Sequence, residues 1–63
     1  MNYLYIYSND FGGKKEVRHG RKNISMKTMM KEAEGREMVS IYKILDETFG
    51  QELHFIDYLI LNP

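Results

Sequence analysis

The chain has no cysteine, no tryptophan, a single proline and no net charge. Without cysteine there is no disulfide framework, no thiolate metal site and no cysteine nucleophile. A small domain lacking such staples fits a reducing compartment better than an oxidising one, so the expected location is cytoplasmic. Zero net charge argues against a protein that works by bulk attraction to nucleic acid or to an anionic membrane. No uninterrupted apolar run approaches the roughly 20 residues of a membrane span. Met1-Asn2-Tyr3-Leu4 lacks the basic and apolar regions of a signal peptide. At 63 residues the expectation is one domain, 1–63, close to the size below which a core without staples fails, since such a chain buries only about 60% of its unfolded surface. Association with another chain is the remaining way to bury more.

The charges that are present are unevenly placed. Lys14, Lys15, Arg18, Arg21, Lys22, Lys27 and Lys31 face only Glu16 within residues 11–31, whereas residues 32–63 hold seven of the nine acids against Arg36 and Lys43. A chain divided in this way can offer a basic and an acidic edge to different partners, or stack against copies of itself.

Tyr3 to Ser8 alternates strictly, with Leu4 and Ile6 on one side and Tyr3, Tyr5 and Tyr7 on the other, which predicts a strand. Asn9-Asp10-Phe11-Gly12-Gly13 supplies the positive-φ positions of a reversal. Lys14 to Arg18 has only Val17 to bury and reads as a short edge strand or an ordered loop. After Asn23 or Ser25 as N-cap, Met26, Met29, Met30 and Ala33 recur at helical spacing, and Gly35 is the expected stop. Residues 37–49 fit either period. Val39, Ile41, Tyr42 and Ile44 favour a strand, with Thr48-Phe49-Gly50-Gln51 as the hairpin loop that leads into the tail. The tail, Leu53 to Asn62, is apolar at every position from Tyr58 to Leu61, so a strand there needs cover on both faces.

These segments predict an α+β fold: a small antiparallel sheet of three to four strands with one helix, about residues 25–34, on one face, in the order β-(β)-α-β-β. The alternative, with 37–49 helical, gives two strands and two helices. The expected core is Leu4, Ile6, Met29, Met30, Ala33, Ile41, one alternate set of the tail, and Val39 or Tyr42. The tail's other set, Tyr58 and Ile60, is then an oligomer interface, and a homodimer through sheet faces or paired edges is the economical arrangement.

Candidate partner-binding residues are the basic Lys14, Lys15, Arg18, Arg21 and Lys22, which can match an acidic protein surface or phosphates, and the row Tyr3, Tyr5 and Tyr7, which can serve an interface or stack bases. Each has a plainer explanation, a solvated loop and a half-buried sheet face respectively. Leu4 to Asn9 distantly resembles the first-strand signature of RNA-recognition-motif proteins. That resemblance covers six residues, no second signature follows, and the family is not adopted. No metal is expected: His19 and His54 lack ligands at zinc-site spacing, and Asp57, three residues from His54, falls on the opposite face of a regular strand. Adjacent Asp46 and Glu47, and Glu32 with Glu34, form no nucleophile or acid/base motif, and Gly12-Gly13-Lys14-Lys15 lacks the spacing of a phosphate loop. No cofactor and no enzymatic activity are expected.

The leading expectation is a small intracellular protein that modulates or inhibits a larger partner by stoichiometric protein binding. In its length and its Tyr- and Met-rich, cysteine-free character it resembles the small regulatory proteins carried by bacteriophages and mobile elements, without a shared motif. The alternatives are a nucleic-acid-binding module that uses residues 14–22 and the tyrosine face, and a structural subunit of an assembly. No membrane partner is expected.

Overall fold

The computed structural model describes residues 2–46 and 52–61. Strands β1 (Tyr3–Ser8) and β2 (Lys14–His19) are followed by helix α1 (Met26–Ala33) and strands β3 (Met38–Asp46) and β4 (Glu52–Ile60). The four strands form one antiparallel sheet in the order β2-β1-β3-β4, an α+β fold with the element order β-β-α-β-β. The strand reading of the segment after Gly35 therefore holds over Met38–Asp46, because its β-branched and aromatic run finds partners on both sides. The expected loop at Thr48 to Gln51 lies outside the described residues.

β1 enters β2 through a turn in which Gly12 takes φ 89° and donates to the Asn9 carbonyl, a conformation that glycine adopts without steric cost. The Asn9 side-chain oxygen also accepts from the Glu37 amide at 3.2 Å, which ties the turn to the start of β3. Ser25, not Asn23, caps α1, its hydroxyl accepting from the Thr28 amide at 3.1 Å. The helix ends on Glu34, itself left-handed at φ 51°, followed by Gly35 at φ 86°.

The core contains a correction. Tyr3, Tyr5 and Tyr7, expected opposite the core, point toward the helix, and Leu4 and Ile6 lie on the other side of the sheet, where Leu4 is buried as expected and Ile6 is half-buried. Tyr5 and Tyr7 are fully buried with Met29, Ala33, Val39, Ile41 and Leu61, and Tyr3, Val17, Ile24, Ile56 and Leu59 pack around them. The large rings fill the space beneath a short helix whose own contribution is small: of the predicted methionine stripe only Met29 and Ala33 are buried, while Met26 and Met30 are exposed. The phenol hydroxyls make this burial possible by reaching polar partners at the rim of the core.

β4 departs from a regular strand at one place that matters. Its pairing with β3 runs Met38 with Ile60, Val39 with Leu59, Ser40 with Tyr58 and Ile41 with Asp57, then shifts so that Tyr42 meets Phe55 and Ile44 meets Leu53. Ile56 is the extra residue, a β-bulge. Directly paired residues share a face, so the bulge reverses the strand's alternation halfway along. Leu53, Phe55, Tyr58 and Ile60 consequently share the open face, and His54, Asp57 and Leu59 share the helix side.

Candidate functional site

Two regions have enough chemistry to be candidates. The first lies where α1 crosses β1 and β2. Glu32 is its centre: its carboxylate accepts from the Tyr7 hydroxyl at 2.7 Å and lies 2.8 Å from His19 Nε2. The His19 ring meets Tyr5 edge to face, with centroids 4.9 Å apart, and the Tyr5 hydroxyl donates to the Lys22 carbonyl. Lys15 donates from below to the Glu32 carbonyl at 2.8 Å and to the Glu34 carboxylate, placing a cation against the C-terminal end of the helix dipole. Beside this cluster lies an open groove of about 680 Å³ lined by Lys15, Lys27, Thr28, Lys31, Glu32 and Glu34.

The proton affinities of this cluster suit a structural clasp. Burial, reinforced by the hydrogen bond to Glu32, pushes the Tyr7 phenol far above the ordinary tyrosine value, and burial raises Tyr5 as well. Partial burial alone would raise Glu32, but the hydrogen bonds with Tyr7 and His19, together with the charges of His19 and Lys15, outweigh it and leave the carboxyl lowered. The hydrogen bond and charge of Lys15 lower Glu34. A phenol moved up and a carboxylate moved down both titrate further from neutrality than usual, the reverse of what proton transfer at pH 7 requires. The arrangement holds the helix on the sheet.

The second region is the open face of the sheet, which no described element covers. In register on it stand Ile6 and Ser8 of β1, Met38, Ser40 and Tyr42 of β3, and Leu53, Phe55, Tyr58 and Ile60 of β4, with Leu4 and Ile44 on the same side but already buried. None of these residues is charged. Among the described residues, the charges in register on this face are Lys14, Glu16 and Arg18, all on the outer strand β2. Phe55 is 54% exposed, Tyr58 46% and Ile60 58%, which is unusual for side chains so close together on a monomeric surface. The face is also internally ordered. Tyr42 and Phe55 pack edge to face at 5.7 Å, and the Tyr58 hydroxyl donates to the Met38 sulfur at 2.7 Å.

The residues singled out in the sequence fall into these two regions and outside them. Tyr5 and Tyr7 belong to the core and are not available as contacts, and Tyr3 is half-buried beside them. Lys15 is engaged with the helix end. Lys14 and Arg18 lie on the open-face side of β2, and Arg21 and Lys22 follow in the exposed connection to α1. Tyr58 and Ile60 are exposed on the open face. The bulge at Ile56 brings His54 and Asp57 to the same face, contrary to the expectation from regular alternation. Among the described residues no group of three or more His, Cys, Asp or Glu is placed to hold a metal ion. No described helix is long and apolar enough to cross a membrane.

Phe55 and Leu53 were not singled out as contacts. The signal for them is present in the tail: polar and apolar residues alternate from Glu52 to Phe55, then resume out of phase at Asp57, and the break falls on Ile56. No family model, no curated protein and no solved structure matches this chain.

Proposed function

We propose that this protein acts by stoichiometric protein–protein binding, as a modulator of a larger partner, without chemistry of its own. The observation that supports this reading is the open sheet face, where exposed Phe55, Tyr58 and Ile60 lie in a field free of charge. Aromatic side chains contribute large contact area at small entropic cost, and absence of charge keeps desolvation inexpensive. The basic side of the molecule, β2 and the start of α1, adds steering toward acidic protein surfaces.

A second reading has its own observation. Tyr42, Phe55 and Tyr58 form an aromatic group on an open antiparallel sheet, with Lys14 and Arg18 on the same face, a combination that stacks bases in single-stranded nucleic acid. It uses other rings than the β1 row, because Tyr5 and Tyr7 are buried. The surrounding aliphatic residues, Ile6, Leu53 and Ile60, favour a protein partner over a polyanion.

The test is affinity capture from source cells with a tagged chain. The wild type is expected to recover one dominant protein, another chain or a second copy, at a fixed ratio, and Phe55→Asp is expected to lose it while retaining native circular dichroism. A wild-type chain that recovers nothing at a fixed ratio contradicts the proposal. Tight oligonucleotide binding that weakens steeply with salt and is lost in Arg18→Ala supports the second reading.

A further inference from the structure

We infer that the occupant of the open face is a second copy of this chain, packed face to face so that two sheets form the middle of a helix-sheet-sheet-helix sandwich. This rests on the protein-binding reading and names the partner for that surface. The room available points the same way. The chain measures 35 × 25 × 16 Å, so only its two broad faces can supply the roughly 800 Å² per partner of a standard interface. One carries the helix, and the other is the open face.

Charge selects the partner and the orientation. An isologous interface sets a surface against itself, so any charge near the axis meets its own kind. The positions on β1, β3 and β4 contain none. On this face, among the described residues, charge appears only at the β2 edge, as Lys14, Glu16 and Arg18, while Lys15 and Asp57 lie on the helix side. A two-fold axis parallel to the strands, between β1 and β3, lays the charged β2 of each copy over the uncharged open face of β4 in the other and keeps the two β2 strands at opposite edges, away from their own kind. The same rotation sets β1 against β3 and covers Ile6, Tyr42 and Phe55 at the centre. Aligned packing of twisted sheets is a common arrangement of this kind.

The competing arrangement, edge pairing through β4, is opposed by the bulge. An extra residue in the middle of an edge strand interrupts the regular row of donors and acceptors that a second β4 would need. The bulge therefore has two effects: it blunts the edge, and it gathers the apolar residues onto the face. In this assembly the basic β2–α1 sides remain outside, where they can meet a larger acidic partner.

Sedimentation equilibrium of the full chain is the test. The wild type is expected to give twice the 7.5 kDa chain mass, and Ile60→Asp to give the single mass with native circular dichroism. Should Ile60→Asp fail to fold, a spin label decides. Because the chain has no cysteine, Ser40→Cys or Lys27→Cys provides a unique attachment point, and the inter-copy distance is expected to be much shorter from Ser40, on the open face, than from Lys27, on the helix. A monomeric wild type, or a dimer whose Lys27 labels are closer than its Ser40 labels, overturns the inference. A monomer that still captures a different protein through Phe55 leaves the protein-binding reading standing. A monomer that binds oligo-dT or anionic vesicles through Phe55 and Tyr58 overturns both.

Discussion

Glu32 joins three elements of the described structure. Its carboxylate meets Tyr7 from β1 and His19 from β2, and its carbonyl meets Lys15, so one helical residue fastens α1 to two strands. Hydrogen bonds to charged groups contribute about 1.5–3 kcal/mol when well shielded, and partial exposure reduces that here. Tyr7→Phe is accordingly expected to destabilise the fold by about 1–2 kcal/mol, measured as a lower urea midpoint with unchanged slope. The same groups set the response to alkali. Tyr5 and Tyr7 have raised native pKa values, so the unfolded chain releases their protons first, near pH 10. Their contribution to stability is complete below about pH 10 and is lost progressively as pH rises beyond it. Thermal unfolding across that range should show a falling midpoint, with the tyrosinate absorbance that is lost in Tyr5→Phe and Tyr7→Phe appearing only as the chain unfolds. For Glu32, with a lowered pKa, the sign is opposite: its contribution is present above the ordinary carboxylate range and is lost as pH falls through its native value. None of this clasp was legible in the sequence. Tyr7, His19 and Glu32 are distant along the chain, and the burial of Leu4 was readable from its alternation, whereas that of Tyr5 and Tyr7 depends on phenols that satisfy their hydroxyls at the edge of the core.

Among the elements, β4 decides how the molecule meets its surroundings. The sequence showed an apolar stretch too rich for one covered face, and the structure divides it: Leu59 and Leu61 join the core while Tyr58 and Ile60 face outward. The division toward the end of the strand was readable from simple alternation, but the position of Phe55 and Leu53 was not, because it depends on one inserted residue at Ile56. Deleting Ile56 should force the strand back into phase and place either the Leu53–Phe55 half or the Tyr58–Ile60 half against the helix side. The expected result is loss of the cooperative unfolding transition, followed by circular dichroism. Leu59→Asp should likewise prevent folding, since it buries a carboxylate beside Val39 and Ile41 with no partner, whereas Ile60→Asp places the same charge in solvent. A folded Leu59→Asp protein would show that the facing of the strand is wrong. The helix was legible in position but not in its packing. Spacing located Met26 to Ala33 within a residue or two, yet eight residues over a sheet of large rings leave Met26 and Met30 without cover.

At the scale of the whole molecule, fold class and element order followed from the alternation of β1, the helical spacing after Ser25 and the β-branched run of β3, all of which are local properties. The binding face did not, because it is assembled from three strands and from a register shift that no single segment reveals. The charge division seen along the chain does acquire a spatial meaning: β2 and β4 are the two edges of the sheet, one basic and one acidic. Between them lies an uncharged surface on a domain too small to bury its own apolar content. That surface as the site of self-association is the central claim, and the concentration dependence of thermal unfolding tests it most directly. A dimer that unfolds to monomers gains stability by mass action, so its midpoint rises with protein concentration. The account predicts a rising midpoint for the wild type and a flat one for Ile60→Asp; a wild-type midpoint that does not move with concentration would contradict it.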